Sequence, residues 1–553
     1  MSAHAETMNG GAVSSDRHPK GLAVLFATEM WERFSFYSML ALFTLYLRDP
    51  DQGFGWTAAE ATSLYANYLA FVYASPLIGG LIADKITGYR KAVMIGGFFF
   101  MAGHGLLSIP AEWAVYLALT CLVIGNGFFK PNVSTMVGNL YPEGSHLKDR
   151  AYNIFYMGIN VGAFIAPIVM EVVKSYFGFH AAFAVAAFGM VLSVSTLWYF
   201  KSLVMQADNA HAAGGNQLVD EAATAVDAPP HEVSHQSERS ASQKATDLMN
   251  TVSDSKRIIA LIVIFLIVIV FWMAFHQNGS TLTYWADDNT AWNVTGTISN
   301  SINAFWILVL TFPLVWFWGF LDKRGKEPAT PTKMAFGMTL TGLSFLVLWF
   351  GASLGESSTK TAADLAAGSF RINERVAANL TTQGMSKDVI NSLMSKKDAD
   401  EKNVIDGVKF SPKTDEATKV TTSGADLLIA EVNKIAPGEG DKNKEAILQS
   451  AFLFRVSPFW LIFAYFIVTL GELMLSPMGL SLVSKVAPIS KRGMLMGGWF
   501  VATAIGNKLT MIGIYWDIWL QSSFFLVLAC MALFMAVVLF AILKPLKKAM
   551  PGV

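Results

Sequence analysis

The chain has 553 residues, of which 53% are hydrophobic, 13% aromatic and only 15% charged. So little charge with a positive mean hydropathy excludes an ordinary soluble globular protein and points to a polytopic membrane protein. Lys+Arg and Asp+Glu balance at 41 each, which argues against nucleic-acid binding, and two cysteines in apolar runs (Cys121, Cys530) give no disulfide framework or metal site.

The first ~20 residues are polar and hold no apolar signal core, so the first helix itself is expected to direct insertion. That helix is the apolar run of roughly 22–47, long enough to span a bilayer. It carries Glu29-Met-Trp-Glu32-Arg33-Phe-Ser-Phe36-Tyr37. Glu29, Glu32, Arg33, Phe36 and Tyr37 follow an i, i+3, i+4, i+7, i+8 pattern and share one helix face. A charge inside a bilayer costs a few kcal/mol or more unless it is paired or wetted. The stripe therefore faces a cavity with Arg33 between two carboxylates, or forms a buried ion cluster that locks helices together.

Further spans are read at roughly 61–83, 92–110, 113–137, 152–173 and 179–200. The fourth holds Gly125-Asn-Gly-Phe-Phe-Lys130-Pro131-Asn132. Glu29 and Lys130 each lie ~8 residues, or ~12 Å, from the same end of their helices and can be level. Lys130 and Arg33 against Glu29 and Glu32 make a neutral four-charge cluster. Pro131 removes a backbone donor and is expected to kink the helix. In the fifth span Gly158 and Gly162 form a small-residue packing seam, and Asn160 could bond a ligand.

The segment 202–255 is poor in large apolar residues and reads as a soluble tether. Six more spans follow at roughly 257–278, 298–321, 334–353, 457–484, 493–516 and 521–543. Trp272 and His276, four apart, share a face of the seventh; His276 is either a satisfied polar residue or a proton carrier. Glu472 sits near mid-span in Gly471-Glu472-Leu-Met-Leu-Ser-Pro477 with no obvious cationic partner in that half; Lys508 is the only candidate, and it is expected nearer the outer side. Between the ninth and tenth spans, 354–455 is polar. Its Leu427, Leu428, Ile429, Val432 and Ile435 recur at helical spacing, so it is a small helical cap or a mere spacer.

The resulting organisation is a tail (1–20), six helices (21–201), the linker (202–255), helices 7–9 (256–353), the insert (354–455), helices 10–12 (456–545) and a tail (546–553). With twelve spans, Lys85, Arg90, Lys91, Lys323, Arg324, Lys326, Lys485, Lys547 and other basic residues fall on one side. That side is expected to be cytoplasmic and to hold both termini and the linker, with the insert outside. Gly80-Leu-Ile-Ala-Asp84-Lys-Ile-Thr-Gly88 is echoed six spans later by Gly319-Phe-Leu-Asp322-Lys-Arg-Gly325. This pair and the 6+6 layout resemble the major facilitator superfamily: an all-α integral membrane fold of twelve transmembrane helices in two six-helix bundles around a central site.

Four motifs narrow the resemblance to the proton-coupled oligopeptide transporter (POT/PTR) family: Glu29-x-x-Glu32-Arg33-Phe-Ser, Gly127-Phe-Phe-Lys130-Pro131-Asn132-Val-Ser, Phe155-Tyr-x-x-Ile159-Asn160-x-Gly162 and Gly471-Glu472-Leu-x-x-Ser476-Pro477. The resemblance implies proton-driven symport of di- and tripeptides across a cell membrane, the inner one if the cell is bacterial, by a multi-pass monomer in the lipid bilayer that is no enzyme and uses no cofactor. It places Glu29, Glu32, Arg33 and Lys130 in proton coupling, Lys130 and Arg33 at the peptide carboxylate, and Glu472 at the peptide amino terminus. Tyr37, Tyr73, Asn160, Trp272, Asn303 and Trp499 fall where the family lines its pocket. Two departures occur together: Leu40 stands where the family usually has arginine, and His276 where it usually has an acid, so His276 is expected to take part in proton handling. Nitrate, an amino acid or a drug as cargo, or a polytopic sensor without transport, are the alternatives.

Overall fold

The computed structural model describes residues 18–141, 147–208, 249, 251–292, 295–395, 404–415, 417–488 and 491–551. The first half of the chain forms α1 (Lys20–Arg48), α2 (Ala58–Thr87), α3 (Tyr89–Leu106) and α4 (Glu112–Asn139), then a helical run Leu147–Tyr199. Gly178, at φ 83°, breaks that run into α5 (147–177) and α6 (179–199). The second half forms α7 (Asp254–Asp288), α8 (Gly296–Asp322), α9 (Thr330–Ser357), α10 (Phe459–Val486), α11 (Arg492–Leu509, tightened to a 3-10 helix over Thr510–Asp517) and α12 (Gln521–Ala549).

Eight stretches are long and apolar enough to cross a membrane, and one of them, Ala151–Tyr199, holds two helices. The remaining three of the twelve are α1, with Glu29, Glu32 and Arg33 in its middle, and the shorter α3 and α11. Leu81, Trp113, Phe188, Ile259, Leu266, Phe312, Trp316 and Phe534 are exposed around the molecule. An apolar surface so extensive is that of a multi-pass membrane protein facing lipid. The buried apolar residues form one core within α1–α6, a second within α7–α12 and a third inside the insert.

Local chemistry accounts for the joints. Thr57 and Glu60 form a reciprocal cap at the start of α2, Thr57 N–H donating to Glu60 Oε2 at 2.9 Å and Glu60 N–H to Thr57 Oγ1 at 3.2 Å. Gly88, between α2 and α3, has φ 74°, and Gly325, between α8 and α9, has φ 63°. Both echoed turns thus place a glycine at positive φ, which only glycine adopts freely. Pro131 lies inside α4 and leaves the Gly127 carbonyl without its helical donor. That oxygen points at Gly79 of α2, where a Cβ would come within 1.9 Å of it. On α5, a Cβ at Gly162 would lie 2.5 Å from the Met30 carbonyl of α1, and one at Gly158 would lie 3.0 Å from Phe26. The glycine seam therefore seats α5 on α1.

Three features exceed the sequence-based expectation. The polar break His276–Gly279 does not end the seventh span; the chain makes a 3-10 turn and continues as a helix over Thr281–Asp288. The start of the linker is docked rather than free: Asp208 accepts from Arg90 N at 2.8 Å and from Arg90 Nε at 3.1 Å. Positions 209–248 of that linker lie outside the described residues. The insert is a folded unit. Its helix Gly424–Ile435 buries Leu428, Ile429 and Val432, and it is joined by helices Ala362–Ala367, Glu374–Thr382, Lys387–Ser395 and Lys444–Ala451. Strand Phe370–Arg371 pairs antiparallel with Lys409–Phe410.

Candidate functional site

A cavity of about 540 Å³ lies between the two halves. It runs from Gly279 and Asn278 near the insert side toward Asp84 of α2 and Thr135 of α4 near the side that holds the termini. On the insert side the halves are tied together. Thr44 Oγ1 donates to the Gly279 carbonyl at 2.9 Å, and the Thr62 and Tyr284 hydroxyls are 3.2 Å apart. Lys174 Nζ donates to Thr295 and Thr297, and the Arg48 guanidinium stacks 4.1 Å above the Tyr284 ring. Lys508 of α11 pairs with Asn67 of α2, so it belongs to this cross-half contact and not to Glu472.

The α1 charges form one compact group. Arg33 closes on Glu32 in a two-pronged contact, Nη2 to Oε1 at 2.6 Å and Nε to Oε2, and its Nε is also 3.3 Å from Glu29 Oε1. All three are at most 3% exposed. Phe36 lies 4.7 Å below the Arg33 guanidinium, a cation–π contact on the cavity side. Glu29 Oε2 is buried and accepts no hydrogen bond. Lys130 of α4 faces the same wall, its Nζ 5.7 Å from the centre of the Tyr73 ring, and its charge acts on Glu29.

The opposite wall belongs to α7, α8, α10 and α11. Asn303 Nδ2 donates to Glu472 Oε2 at 2.9 Å and to Thr469 Oγ1 at 3.0 Å, so α8 orients the α10 carboxylate. Trp272 and His276 stack at 5.4 Å and 22°, and Tyr73 of the other half meets the His276 ring at 5.5 Å. Trp499 reaches the cavity over Gly479, where any Cβ would overlap its ring at 1.8 Å.

Of the residues singled out from sequence, Arg33, Tyr37, Tyr73, Lys130, Asn160, Trp272, His276, Asn303, Glu472 and Trp499 all line this cavity, as does Leu40. Glu29 and Glu32 stand behind Arg33 rather than on the surface. Sequence reading missed Tyr65, Asn126, Tyr156, Asn300, Ser476 and Thr503, which complete the lining. A signal existed for some: Asn300 and Asn303 are three apart on α8, and Asn126 stands between two glycines of α4. Asn126 Nδ2 donates to the Val72 carbonyl at 2.6 Å and so also ties α4 to α2.

Two six-helix halves around a largely apolar cavity with charged groups on both walls, in a lipid-facing shell, define a membrane carrier of solutes. The chain belongs to the POT family, whose model matches residues 90–372, just over half of its length. It is 26% identical to the uncharacterized transporter YclF of Bacillus subtilis (strain 168), with 97% of this chain and 96% of that protein covered. It is 25% identical to a di-/tripeptide transporter of Lactococcus lactis subsp. lactis (strain IL1403), with 97% of each covered. Among solved structures, a variant of a peptide transporter POT in complex with alafosfalin is 26% identical, with a TM-score of 0.68 over 97% of this chain and 96% of the other. The sulfate complex of a peptide transporter POT, 24% identical with a TM-score of 0.68 and 96% of each chain covered, shares the fold.

Proposed function

We propose that the chain is a proton-coupled symporter of di- and tripeptides, working as a monomer in a cell membrane with both termini and the 202–255 linker cytoplasmic and the insert outside. One observation carries this reading: the cavity sets Arg33 and Lys130 on the N-terminal half opposite Glu472 on the C-terminal half. A free peptide is a zwitterion. Its carboxylate fits the cationic wall, and its ammonium fits Glu472, already held by Asn303. A ligand that spans both halves favours the closed state, because it makes both contacts only there. The aromatic lining gives the side chains loose, apolar recognition.

Coupling follows from competition for the same cations. Glu32 accepts two bonds from Arg33 and is well satisfied as an anion. Glu29 holds the longer contact and a buried oxygen without a donor, so Glu29 is the carboxylate that takes the proton. Protonation frees Lys130 and part of Arg33 for the peptide carboxylate, and binding of the peptide carboxylate in turn favours protonation. His276, stacked on Trp272 and met edge-on by Tyr73, is the further group we place in this proton traffic. With Leu40 in place of an arginine, no charge is left orphaned at that position.

The test is uptake of labelled dialanine into liposomes holding the purified protein, with and without an inward proton gradient. Accumulation that needs the gradient and is competed by unlabelled di- and tripeptides, but not by free alanine, is expected. No uptake in either condition by folded protein would assign the cavity to another solute.

A further inference from the structure

We propose that the insert is a lid over the outer mouth of the carrier, carried by the C-terminal half and seated on the N-terminal half through the Ile405–Gly407 turn, and that protonation of the Asp406 carboxyl controls the seating.

The insert grips α7 with charge. Lys409 Nζ lies 3.0 Å from Asp287 Oδ2 and 3.0 Å from Asp288 Oδ1, and Arg371 Nη2 lies 3.3 Å from Asp288 Oδ1. Asn373 Nδ2 donates to Asp517 Oδ1 at the end of α11, at 3.0 Å. These residues flank the 405–407 turn: Gly407 N–H donates to the Ile372 carbonyl at 3.0 Å, and Lys409 lies in the strand paired with Arg371. The turn is therefore built onto the C-terminal half.

Its far side rests on the other half. A Cβ at Gly407, whose φ is 75°, would lie 3.3 Å from Thr57 Cα and 3.4 Å from the Trp56 carbonyl, at the start of α2. Asp517 joins all three bodies at this point, because its second oxygen accepts from Ala58 N–H of α2 at 3.3 Å. Alternating access requires this mouth to part, so α2 must leave both the turn and Asp517 together.

Asp406 sits where the three bodies meet. Three carboxylates act on it through their charge, one from each body: Asp517 of the C-terminal half, Glu374 of the insert and Glu60 of the N-terminal half. Arg375, next in sequence to Glu374, feels the charges of Glu356 and Asp517. Burial first, and then these three carboxylates, push the Asp406 carboxyl up to about 7. An acid raised in the seated state binds more protons there than in the parted state. Seating is thus strongest in acid, weakens as pH rises above the ordinary carboxylate range, and reaches its minimum above about 7. Closure of the outer mouth takes up a proton from that side, and its opening returns one.

Spin labels at Asp51 and Leu520, exposed sites on the two halves at this mouth, read its opening by pulsed electron spin resonance in lipid nanodiscs. Over a titration from about pH 4 to about pH 8.5 the wild type is expected to shift to longer distances between the ordinary carboxylate range and about 7, and D406N to stay short throughout. E374Q, altered at an exposed side chain, is expected to leave the acid end unchanged and to open less at high pH, because it removes one charge that repels ionised Asp406 in the seated state. The pH dependence must persist in E29Q, which separates it from the membrane carboxylate that takes the proton. A wild type without pH-dependent opening, a D406N that follows the wild-type curve, or an E374Q that opens as far as the wild type at high pH would each overturn the inference. No solute is present in this measurement, so it stands or fails apart from the peptide assignment.

Discussion

At the scale of single residues, the proposed coupling rests on the arrangement around Arg33. Adjacent residues on a helix do not face each other, yet Arg33 binds Glu32 more tightly than Glu29 four positions back. Their side chains are long enough to fold toward one another once both are sealed from water. Replacing Glu32 with glutamine is expected to abolish gradient-driven dialanine uptake while leaving counterflow exchange; intact uptake would remove Glu32 from the coupling. E472A is expected to raise the half-saturating concentration of peptides with a free amino end by about 10–100-fold, the worth of one charge-assisted hydrogen bond of about 1.5–3 kcal/mol. Equal losses for free and N-blocked peptides would refute that role. These charged side chains were legible in the sequence because an ionisable residue in an apolar run stands out by itself. Their neutral partners were not: nothing in the local pattern links Asn303 to Glu472 or Asn67 to Lys508, since each pair is joined across helices.

At the scale of elements, neighbouring glycines of α2 separate two kinds of site. A Cβ at Gly79 would overlap the Gly127 carbonyl that Pro131 leaves free, whereas at Gly80 it would make only ordinary contact with Pro131 at 3.7 Å. G79A is therefore expected to destabilise the protein by about 1–3 kcal/mol, as an overpacked core does. G80A should remain within about 0.5 kcal/mol, and thermal unfolding of the two variants in detergent compares them directly. The apolar runs located the spanning helices because membrane insertion selects length and hydropathy, both local properties. The same reasoning ended the seventh span too early. His276, Gln277 and Asn278 read as a stop, but Gln277 is buried and bonds the Met273 and Thr510 carbonyls, so the chain can continue as Thr281–Asp288.

At the scale of the whole molecule, the insert has its own core and is therefore expected to open as a separate cooperative unit. Leu428 is fully buried there, and truncating such a leucine to alanine costs about 2–5 kcal/mol. L428A should speed amide hydrogen exchange across the described parts of 362–451 and leave α1–α6 at wild-type protection. Faster exchange throughout the bundle would mean that the insert and the membrane halves unfold together. By itself the sequence determined the membrane class, the number of spans, the two echoed halves, the charged helices and the family, because each is written in composition, hydropathy or short motifs along the chain. Only the tertiary structure decided which groups share the cavity wall, which carbonyl a glycine must accommodate, and where the insert is clamped. Those outcomes depend on close contacts between segments hundreds of residues apart, and such contacts leave no periodicity in the chain that makes them.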